Sequence, residues 1–335
     1  MSNQLEPINI NDIEGFAIGH WTNLQAGTGC TAIVAPQGAT AGVDVRGAAP
    51  ASRETDLLKP ENTVDKIHAV MLSGGSAFGL EAASGAAREL ERRGIGLPVG
   101  PTMVPIVCSS CLFDLAFADP FTRPDIEAGI LSVACALDNC APGSPVPEGN
   151  VGAGCGATVG KLLGPDHAMK GGLGARAFQL GQLMVGAISA VNACGNVVDP
   201  ETLKPIAGAR ATPDGTQIID MEEAALEAAA DMKMPLDRTN TTISCIITNA
   251  SLSKAQATKV AQMAADAYAH TIRPTHTTND GDTIYVMASC SESVPDLPLD
   301  LIGLVATRAL EAAICSGCAT ADGLGGLPSA KDIAQ

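Results

Sequence analysis

The stretch Asn240-Thr241-Thr242-Ile243-Ser244-Cys245-Ile246-Ile247-Thr248 joins a polar segment to an apolar run, and it decides how the rest of the chain is interpreted. Its later residues are mostly apolar or β-branched, which predicts a buried strand over residues 241–248. Residues 199–240 are polar and contain one acidic helical pattern, so they predict a long excursion rather than a core strand. A hydroxyl therefore stands at the first residue of a buried strand.

The elements around this strand predict an α+β fold. Strands and helices come in runs instead of alternating strictly, which favours a layered α+β sandwich over a doubly wound parallel sheet. The first long helix is predicted to bury Leu90 and to expose Glu89. Strands are predicted at residues 16–20, 29–35, 41–46, 67–72, 183–191 and 283–288, and helices at residues 80–93, 125–137, 221–232, 252–270 and 299–314.

Composition and charge limit the classes of function. The chain has 335 residues, 46% of them apolar, which is enough for a large core. A formal net charge of −16 argues against nucleic acid as a partner, because such binding depends on Lys and Arg neutralising phosphates. Residues 1–11 are polar and no run of 18 apolar residues occurs, so we expect neither a secretory signal nor a membrane span, and a cytoplasmic location.

Two cysteine pairs and two glycine-rich stretches have the spacing of known binding sites, but the residues around them do not fit such sites. The pairs Cys108/Cys111 and Cys315/Cys318 have the spacing of a four-thiolate zinc site, but their apolar context favours reduced, structural thiols. The glycines of residues 154–162 and 172–177 imitate phosphate-binding loops without completing either motif, so close backbone packing is the better interpretation. We therefore expect neither a metal nor a cofactor.

The hydroxyl of Thr241 could act as a catalytic nucleophile if the chain is cut before this residue. A hydroxyl is a weak nucleophile without a base, and the α-amine of the same residue, with a pKa of about 8, could serve as that base. Attack of Thr241 Oγ on the Asn240 carbonyl would give an ester that water then cleaves. Asp280 and Asp282 flank a glycine before a predicted strand, and by themselves they fit either a turn or a pair that orients the amine.

Several blocks together resemble a known family, the L-aminopeptidase/D-esterases and β-peptidyl aminopeptidases (peptidase family P1/S58), and within it most of all the nylon-oligomer (6-aminohexanoate oligomer) hydrolases. The strand after Thr241 and the aspartate pair carry the resemblance most directly. Further blocks follow in family order along most of the chain, at residues 44–47, 53–56, 74–82, 152–154 and 170–174.

This resemblance implies a fold, a domain organisation and an assembly. It implies a four-layer αββα sandwich of the N-terminal-nucleophile-hydrolase type, similar to the core of ornithine acetyltransferase. Residues 1–335 would form a single catalytic domain, cut into an α-chain of residues 1–240 and a β-chain of residues 241–335. A homo-oligomer is also implied, with a tetramer among the assemblies that the family allows.

The resemblance also implies roles for particular residues. Thr241 would be the nucleophile and the source of the base, with the cut at Asn240-Thr241. Asp280 and Asp282 would orient the amine. Lys161 and Asn192 would assist at the nucleophile and the oxyanion.

Two features depart from the family pattern and bear on the substrate. Phe113 stands where relatives carry a substrate-binding Tyr, so a phenolic hydrogen bond is missing there. The aminopeptidase branch typically has a Ser nucleophile with a Ser/Glu pair, whereas this chain has Thr241 with two aspartates. The expected activity is therefore hydrolysis of small linear amides or short peptides through a Thr acyl-enzyme. The alternatives are an aminopeptidase for β- or D-amino-acid substrates, acyl transfer of the ornithine type, and a processing-deficient binding protein.

Overall fold

A computed structural model of the chain describes residues 5–230, 240–291 and 294–333. Within these residues the helices are α1 (Glu81–Arg92), α2 (Ile126–Asn139), α3 (Met221–Ala230), α4 (Lys254–Ala264), α5 (Asp266–Thr271), α6 (Leu299–Thr320) and α7 (Ala330–Ile333). The strands are β1 (Glu6–Ile8), β2 (Ala17–Asn23), β3 (Thr28–Val45), β4 (Ala51–Arg53), β5 (Lys66–Ser73), β6 (Leu97–Val99), β7 (Thr102–Val104), β8 (Val107–Cys111), β9 (Thr158–Val159), β10 (Met169–Lys170), β11 (Gly172–Leu180), β12 (Leu183–Val191), β13 (Asn196–Val198), β14 (Pro205–Ala207), β15 (Ile243–Thr248), β16 (Ile272–Arg273) and β17 (Thr283–Ala288).

The main sheet is continuous and folds over through its longest strand. Its order is β1-β11-β12-β15-β17-β3-β5-β8-β4, with β2 also paired to β3. The first part of β3 pairs with β2 and β5, and the last part, from Thr40 to Val45, pairs with β17. Two separate strands were predicted here, which is wrong. The strand does not end, because a register shift between Val34 and Ala39, with Gly38 at φ +73°, bends it.

Side chains alternate between the two faces of each sheet layer and pack into three cores, one between the sheet layers and one under the helices on either outer side. Three cores separate four layers. Ile247 of β15 and Leu72 of β5 lie in the core between the sheet layers. Ile246, the next residue on β15, packs instead into a core with α4, α5 and α6. Met71, beside Leu72, packs with α1 and α2 on the opposite outer face. The predicted αββα sandwich is therefore confirmed.

Helix α6 is the longest helix described and covers β11 and β12. Its length and apolar composition would suffice to cross a membrane, but 67% of the relevant window is buried inside the protein, as in a core helix. Gly174 of β11 allows this close approach, since a Cβ there would stand 1.9 Å from the carbonyl oxygen of Ala313. Gly172 has the same close contact with Gly317, so this glycine run serves backbone packing, as predicted.

Several predicted helices differ from the observed ones. The helix expected at 252–270 is two helices, α4 and α5, and the one expected at 299–314 continues to Thr320. Glu89 is buried, not exposed, because it accepts hydrogen bonds from Arg92 and Arg93 that compensate for its lost hydration. The predicted end of the 221–232 helix lies outside the described residues.

The two CxxC pairs are held in different parts of the fold. Cys108 of β8 lies in the core between the sheet layers, whereas Cys318 of α6 lies in the core beneath the helices. The four thiols therefore do not form one cluster. Within residues 5–230, 240–291 and 294–333, no group of three or more His, Cys, Asp or Glu side chains is arranged to hold a metal ion.

Candidate active site

Three neighbouring strands place the predicted site residues at one edge of the sheet. β15 and β17 are parallel, with Ile243 opposite Thr283, so the residues that precede both strands lie together. β12 is antiparallel to β15, with Ala190 opposite Ile243, so the residues that follow β12 lie at the same edge. This pairing brings together Asn192, Asn240, Thr241, Asp280 and Asp282.

Thr241 is at the centre of this group and is only 5% exposed. Its Oγ1 donates a hydrogen bond to the carbonyl oxygen of Asn240, the residue to which it is joined by the predicted scissile bond. The main-chain N–H of Gly281 donates to the same Oγ1 at 3.2 Å. The main-chain N–H of Thr241 donates to the Asn192 carbonyl oxygen at 2.9 Å. Both the hydroxyl and the main-chain nitrogen of Thr241 are thus held by the site.

Lys161 reaches this group from the segment after β9 and is 6% exposed. Its Nζ donates to the carbonyl oxygen of Asn192 at 3.1 Å and to Asn192 Oδ1 at 2.9 Å. The carbonyl oxygen of Asn192 therefore accepts from both Lys161 and Thr241, which places the ammonium close to the main-chain nitrogen of Thr241. Asn192 Nδ2 donates to the carbonyl oxygen of Phe113 at 2.9 Å, so the amide is held on both sides.

The two aspartates occupy different surroundings. Asp282 Oδ1 accepts from the main-chain N–H of Thr242 at 2.8 Å, one residue past Thr241. Asp280 Oδ2 accepts from the main-chain N–H of Thr277 at 2.6 Å. Burial, and secondly repulsion by Asp282, raises the pKa of Asp280 from 3.8 to about 6, while hydrogen bonds from Thr277 and the charge of Lys161 act in the opposite direction.

We expect this raised pKa to appear in the stability of an uncut protein. Because the charged Asp280 is disfavoured in the folded state, its destabilising effect is absent near pH 4 and complete above about pH 6. Relative to Thr241→Ala, the double variant Thr241→Ala/Asp280→Asn should therefore gain on the order of 3 kcal/mol between these pH values. Urea unfolding at pH 4, 5, 6 and 7 measures this gain.

Asp119 provides a control of opposite sign for that experiment. A hydrogen bond from Thr122 lowers the pKa of this exposed aspartate. Asp119→Asn in the Thr241→Ala background should therefore lose a little stability as the pH rises, instead of gaining it. A difference between Thr241→Ala and Thr241→Ala/Asp280→Asn that stays constant from pH 4 to 7 would contradict the assignment.

Three of the eight buried side-chain polar atoms that have no partner among the described residues lie at this edge. Asn240 Oδ1, Thr242 Oγ1 and Asp280 Oδ1 are all inaccessible and have no hydrogen-bond partner among the described residues. Such atoms are uncommon in folded proteins and each calls for an explanation. Their position around Thr241 marks this edge as a candidate functional site.

A cavity of about 250 Å³ adjoins the group through Lys161. Phe113, the predicted substrate-binding residue, lines it, as does Thr158, whose main-chain N–H donates to Asn192 Oδ1 at 3.0 Å. Phe117 and Leu327 contribute apolar wall, and Asp166 contributes a carboxylate. Thr241 is not in the lining, and Lys161 is the residue that connects the cavity to the hydrogen bonds around Thr241.

Two residues of this region, His276 and Lys170, were not predicted from the sequence to be site residues. His276 Nδ1 lies 2.9 Å from Asp282 Oδ2, although a lone His in a polar loop gives no sequence signal of such a contact. Lys170 is fully buried, and its Nζ donates to the carbonyl oxygens of Cys155 and Ala157. Burial lowers the pKa of Lys170 to about 8. In the sequence, Lys170 stands in a glycine-rich block that resembles the family, but the resemblance assigns no role to Lys170.

The fold of this chain is similar to that of solved aminopeptidase structures. The structure matches that of the L-aminopeptidase D-Ala-esterase/amidase of Ochrobactrum anthropi, reported as a variant of the Ntn hydrolase fold, with a TM-score of 0.67 and 19% identity, covering 96% of this chain and 88% of that one. It also matches a Burkholderia sp. β-aminopeptidase with a TM-score of 0.63 and 19% identity, covering 92% and 86% of the two chains. The fold is therefore a variant of the N-terminal-nucleophile hydrolase fold.

Comparison of the sequence with known protein families shows the family to which the chain belongs. The model of peptidase family S58 matches residues 9–331, and the chain belongs to this family. An uncharacterized aminopeptidase of Mycobacterium leprae is 37% identical over 355 residues, covering 96% of this chain and 93% of its own length. The 6-aminohexanoate-oligomer endohydrolase of Paenarthrobacter ureafaciens is 29% identical over 293 residues, covering 86% and 76%. The chain is accordingly a peptidase or amidohydrolase.

Proposed function

We propose that this protein cuts itself between Asn240 and Thr241 and then hydrolyses small linear amides or short peptides with Thr241 as its N-terminal nucleophile. The observation that carries the proposal is the position of the Thr241 hydroxyl, in contact with the carbonyl oxygen of Asn240 and with the N–H of Gly281. A hydroxyl held in contact with the preceding carbonyl group has only a short distance to move for attack on its carbon, which supports the proposal. The single domain would then consist of residues 1–240 and 241–335.

Self-cleavage proceeds as an acyl shift followed by hydrolysis. Thr241 Oγ attacks the Asn240 carbonyl carbon, the carbon–nitrogen bond breaks, and the hydroxyl proton passes to the nitrogen, which becomes the free amine of Thr241. Water then attacks the resulting ester, leaving a carboxylate on Asn240 and restoring the Thr241 hydroxyl. The main-chain N–H of Gly281 supports the first step, since its hydrogen bond orients Oγ.

Turnover reuses the same atoms on an external amide. The free amine of Thr241 takes the proton from Oγ as it attacks the substrate carbonyl, and passes this proton to the departing amine. The acyl group remains as an ester on Thr241 until water releases it as a carboxylate. The Nδ2 group of Asn192, which is 2.9 Å from the Phe113 carbonyl oxygen in this structure, is the proposed donor to the oxyanion.

The charges around Thr241 suit an amine that must act as a base. Asp282 accepts from the main-chain N–H of Thr242, which supports a role in orienting the amine, and Asp280 pairs with Asn240 on the other side of the bond to be cut. The ammonium of Lys161 shares the Asn192 carbonyl oxygen with the nitrogen of Thr241. A like charge this close favours the neutral amine, which is the form that accepts a proton.

The substrate class rests on the cavity and on the relatives. An apolar wall of Phe113, Phe117 and Leu327 suits an aliphatic or short peptide chain. The curated relatives are called aminopeptidases and 6-aminohexanoate-oligomer endohydrolases, both of which act on amide bonds. The second candidate is an aminopeptidase, which the carboxylate of Asp166 at the cavity favours because it would attract a free substrate amine.

Intact-mass measurement of purified protein, followed by an amide panel, tests the proposal. We expect two chains that meet at Asn240-Thr241, and hydrolysis of 6-aminohexanoate oligomers or β-peptides. Matched substrates with free and acetylated amines distinguish the two candidates, since an aminopeptidase needs the free amine. An uncut protein that hydrolyses none of them would instead support a processing-deficient binding protein.

A further inference from the structure

His276 contacts the aspartate that the proposed mechanism uses to orient the amine. Its Nδ1 is 2.9 Å from Asp282 Oδ2, and its main-chain N–H donates to the same oxygen at 3.2 Å. Since an ionised carboxylate only accepts hydrogen bonds, Nδ1 carries the proton in this pair. Both contacts engage Oδ2, to which the Thr275 hydroxyl also donates at 3.4 Å, and they leave Oδ1 to the main-chain N–H of Thr242. His276 makes the shortest of the contacts to Oδ2 and so helps to fix which oxygen of Asp282 faces Thr241 and Thr242.

The imidazole of His276 is itself held by a residue that contacts the same segment. Its ring stacks on Tyr268, with ring centroids 5.4 Å apart and an interplanar angle of 20°. Tyr268 is fully buried, and its hydroxyl donates to the Thr242 carbonyl oxygen at 3.1 Å. Tyr268, His276 and Asp282 thus form a connected support around the residue that follows Thr241.

The backbone of His276 is in a conformation that residues other than glycine rarely adopt. Its φ angle is +56°, in the left-handed region. Such a conformation costs about 1 kcal/mol or more and persists where surrounding contacts determine it. Here those contacts are the stacking on Tyr268 and the hydrogen bonds to Asp282, so the loop is shaped to present this imidazole to the aspartate.

We propose that His276 is a positioning residue for the active site, which acts through Asp282 by donating its Nδ1–H to Oδ2. With Oδ2 engaged in this way, Oδ1 remains directed at the main chain of Thr241 and Thr242, where the amine appears after cleavage. Without the imidazole donor, Oδ2 is held only by the main-chain N–H of His276 at 3.2 Å and the Thr275 hydroxyl at 3.4 Å, so the carboxylate orients the amine less firmly. This inference rests on the proposed function, since it assigns a support for the same Thr241 amine.

Two substitutions separate the hydrogen bond from the packing of the ring. His276→Asn retains an N–H donor near the position of Nδ1 and tolerates the left-handed backbone, but it removes the stacked ring. His276→Phe retains a ring over Tyr268 and removes the donor. We expect His276→Phe to lower kcat by about 10²-fold, the effect of misplacing a reacting group by roughly 1 Å, with KM changed little. His276→Asn should recover most of this loss.

Self-cleavage rates and thermal unfolding accompany these kinetic measurements. If a variant remains uncut, its rate of self-cleavage replaces kcat as the readout, with the same expected order of the two variants. His270→Asn is the matched control, because His270 pairs with Glu311 at 2.6 Å outside the site and its loss should leave kcat unchanged.

The outcomes distinguish this inference from the proposed function. A slow His276→Asn beside a fast His276→Phe would assign His276 to packing alone and overturn the inference, as would wild-type rates in both variants. An active Thr241→Ala protein would overturn the proposed function itself. Cleaved, active wild type with unaffected His276 variants would remove only the positioning role.

Discussion

Thr241→Ala is expected to give one uncut chain that hydrolyses no amide. The substitution removes the hydroxyl that contacts the Asn240 carbonyl oxygen, so neither the acyl shift nor the acyl-enzyme can form. Loss of a nucleophile in a hydrolase costs about 10⁶-fold in kcat. Intact mass reports the first result, and release of amine from a 6-aminohexanoate dimer or a β-dipeptide reports the second.

Two further variants make this result specific to the Thr241 hydroxyl. Thr241→Ser retains the hydroxyl that contacts the Asn240 carbonyl oxygen and should still be cut and active. Thr202→Ala removes an exposed hydroxyl that donates to Asp199 and accepts from the main-chain N–H of Lys204 in a surface turn, and should change neither property. An uncut wild-type chain that hydrolyses amides, or a Thr241→Ala variant that still does, would contradict the proposal.

Thr241→Ala also separates substrate binding from catalysis. If the uncut variant folds normally, any substrate binding that it retains is due to the cavity beside Lys161 and not to the nucleophile. Thr241 is absent from the lining of that cavity, so binding there need not depend on its hydroxyl. Calorimetric titration with a non-hydrolysed amide would measure this residual affinity.

The sequence predicted individual strands better than their connections. β12 and β17 have the predicted bounds because each is a short apolar run bounded by polar residues. β3 was predicted as two strands, since Pro36, Gln37 and Gly38 imitate a turn. Only pairing with β5 on one side and β17 on the other shows that the strand continues through its bend.

The site was less accessible to prediction from local pattern. Asn192, Thr241 and Asp280 are far apart in sequence and meet because of the register of β12, β15 and β17, which no local pattern specifies. The family resemblance named them, and the structure places them together; their catalytic roles remain predictions. His276 was missed, because its contact with Asp282 depends on the loop conformation.

Lys161→Met should lower kcat/KM at pH 7 by about 10²-fold or more, comparable with the loss of an oxyanion-hole donor. The ammonium holds both oxygens of Asn192, whose amide is the proposed oxyanion donor. It also opposes the rise in the pKa of Asp280, so its removal raises that pKa further. Since Asp280 must be ionised to help hold the amine, the acidic limb of the pH profile should move to higher pH.

The direction of that shift distinguishes an electrostatic role for Lys161 from a purely structural one. A loss of packing would lower the rate equally at every pH, whereas a missing charge makes the loss smaller as the pH rises and Asp280 ionises. Lys254→Met is the matched control, because this buried lysine donates to the carbonyl oxygens of Leu57, Asn62 and Val64, none of which contributes to the site. Lys254→Met should reduce stability and leave the profile in place. A parallel decrease at all pH values in Lys161→Met would assign Lys161 to packing, and the tuning of Asp280 would then have to come from elsewhere in the site.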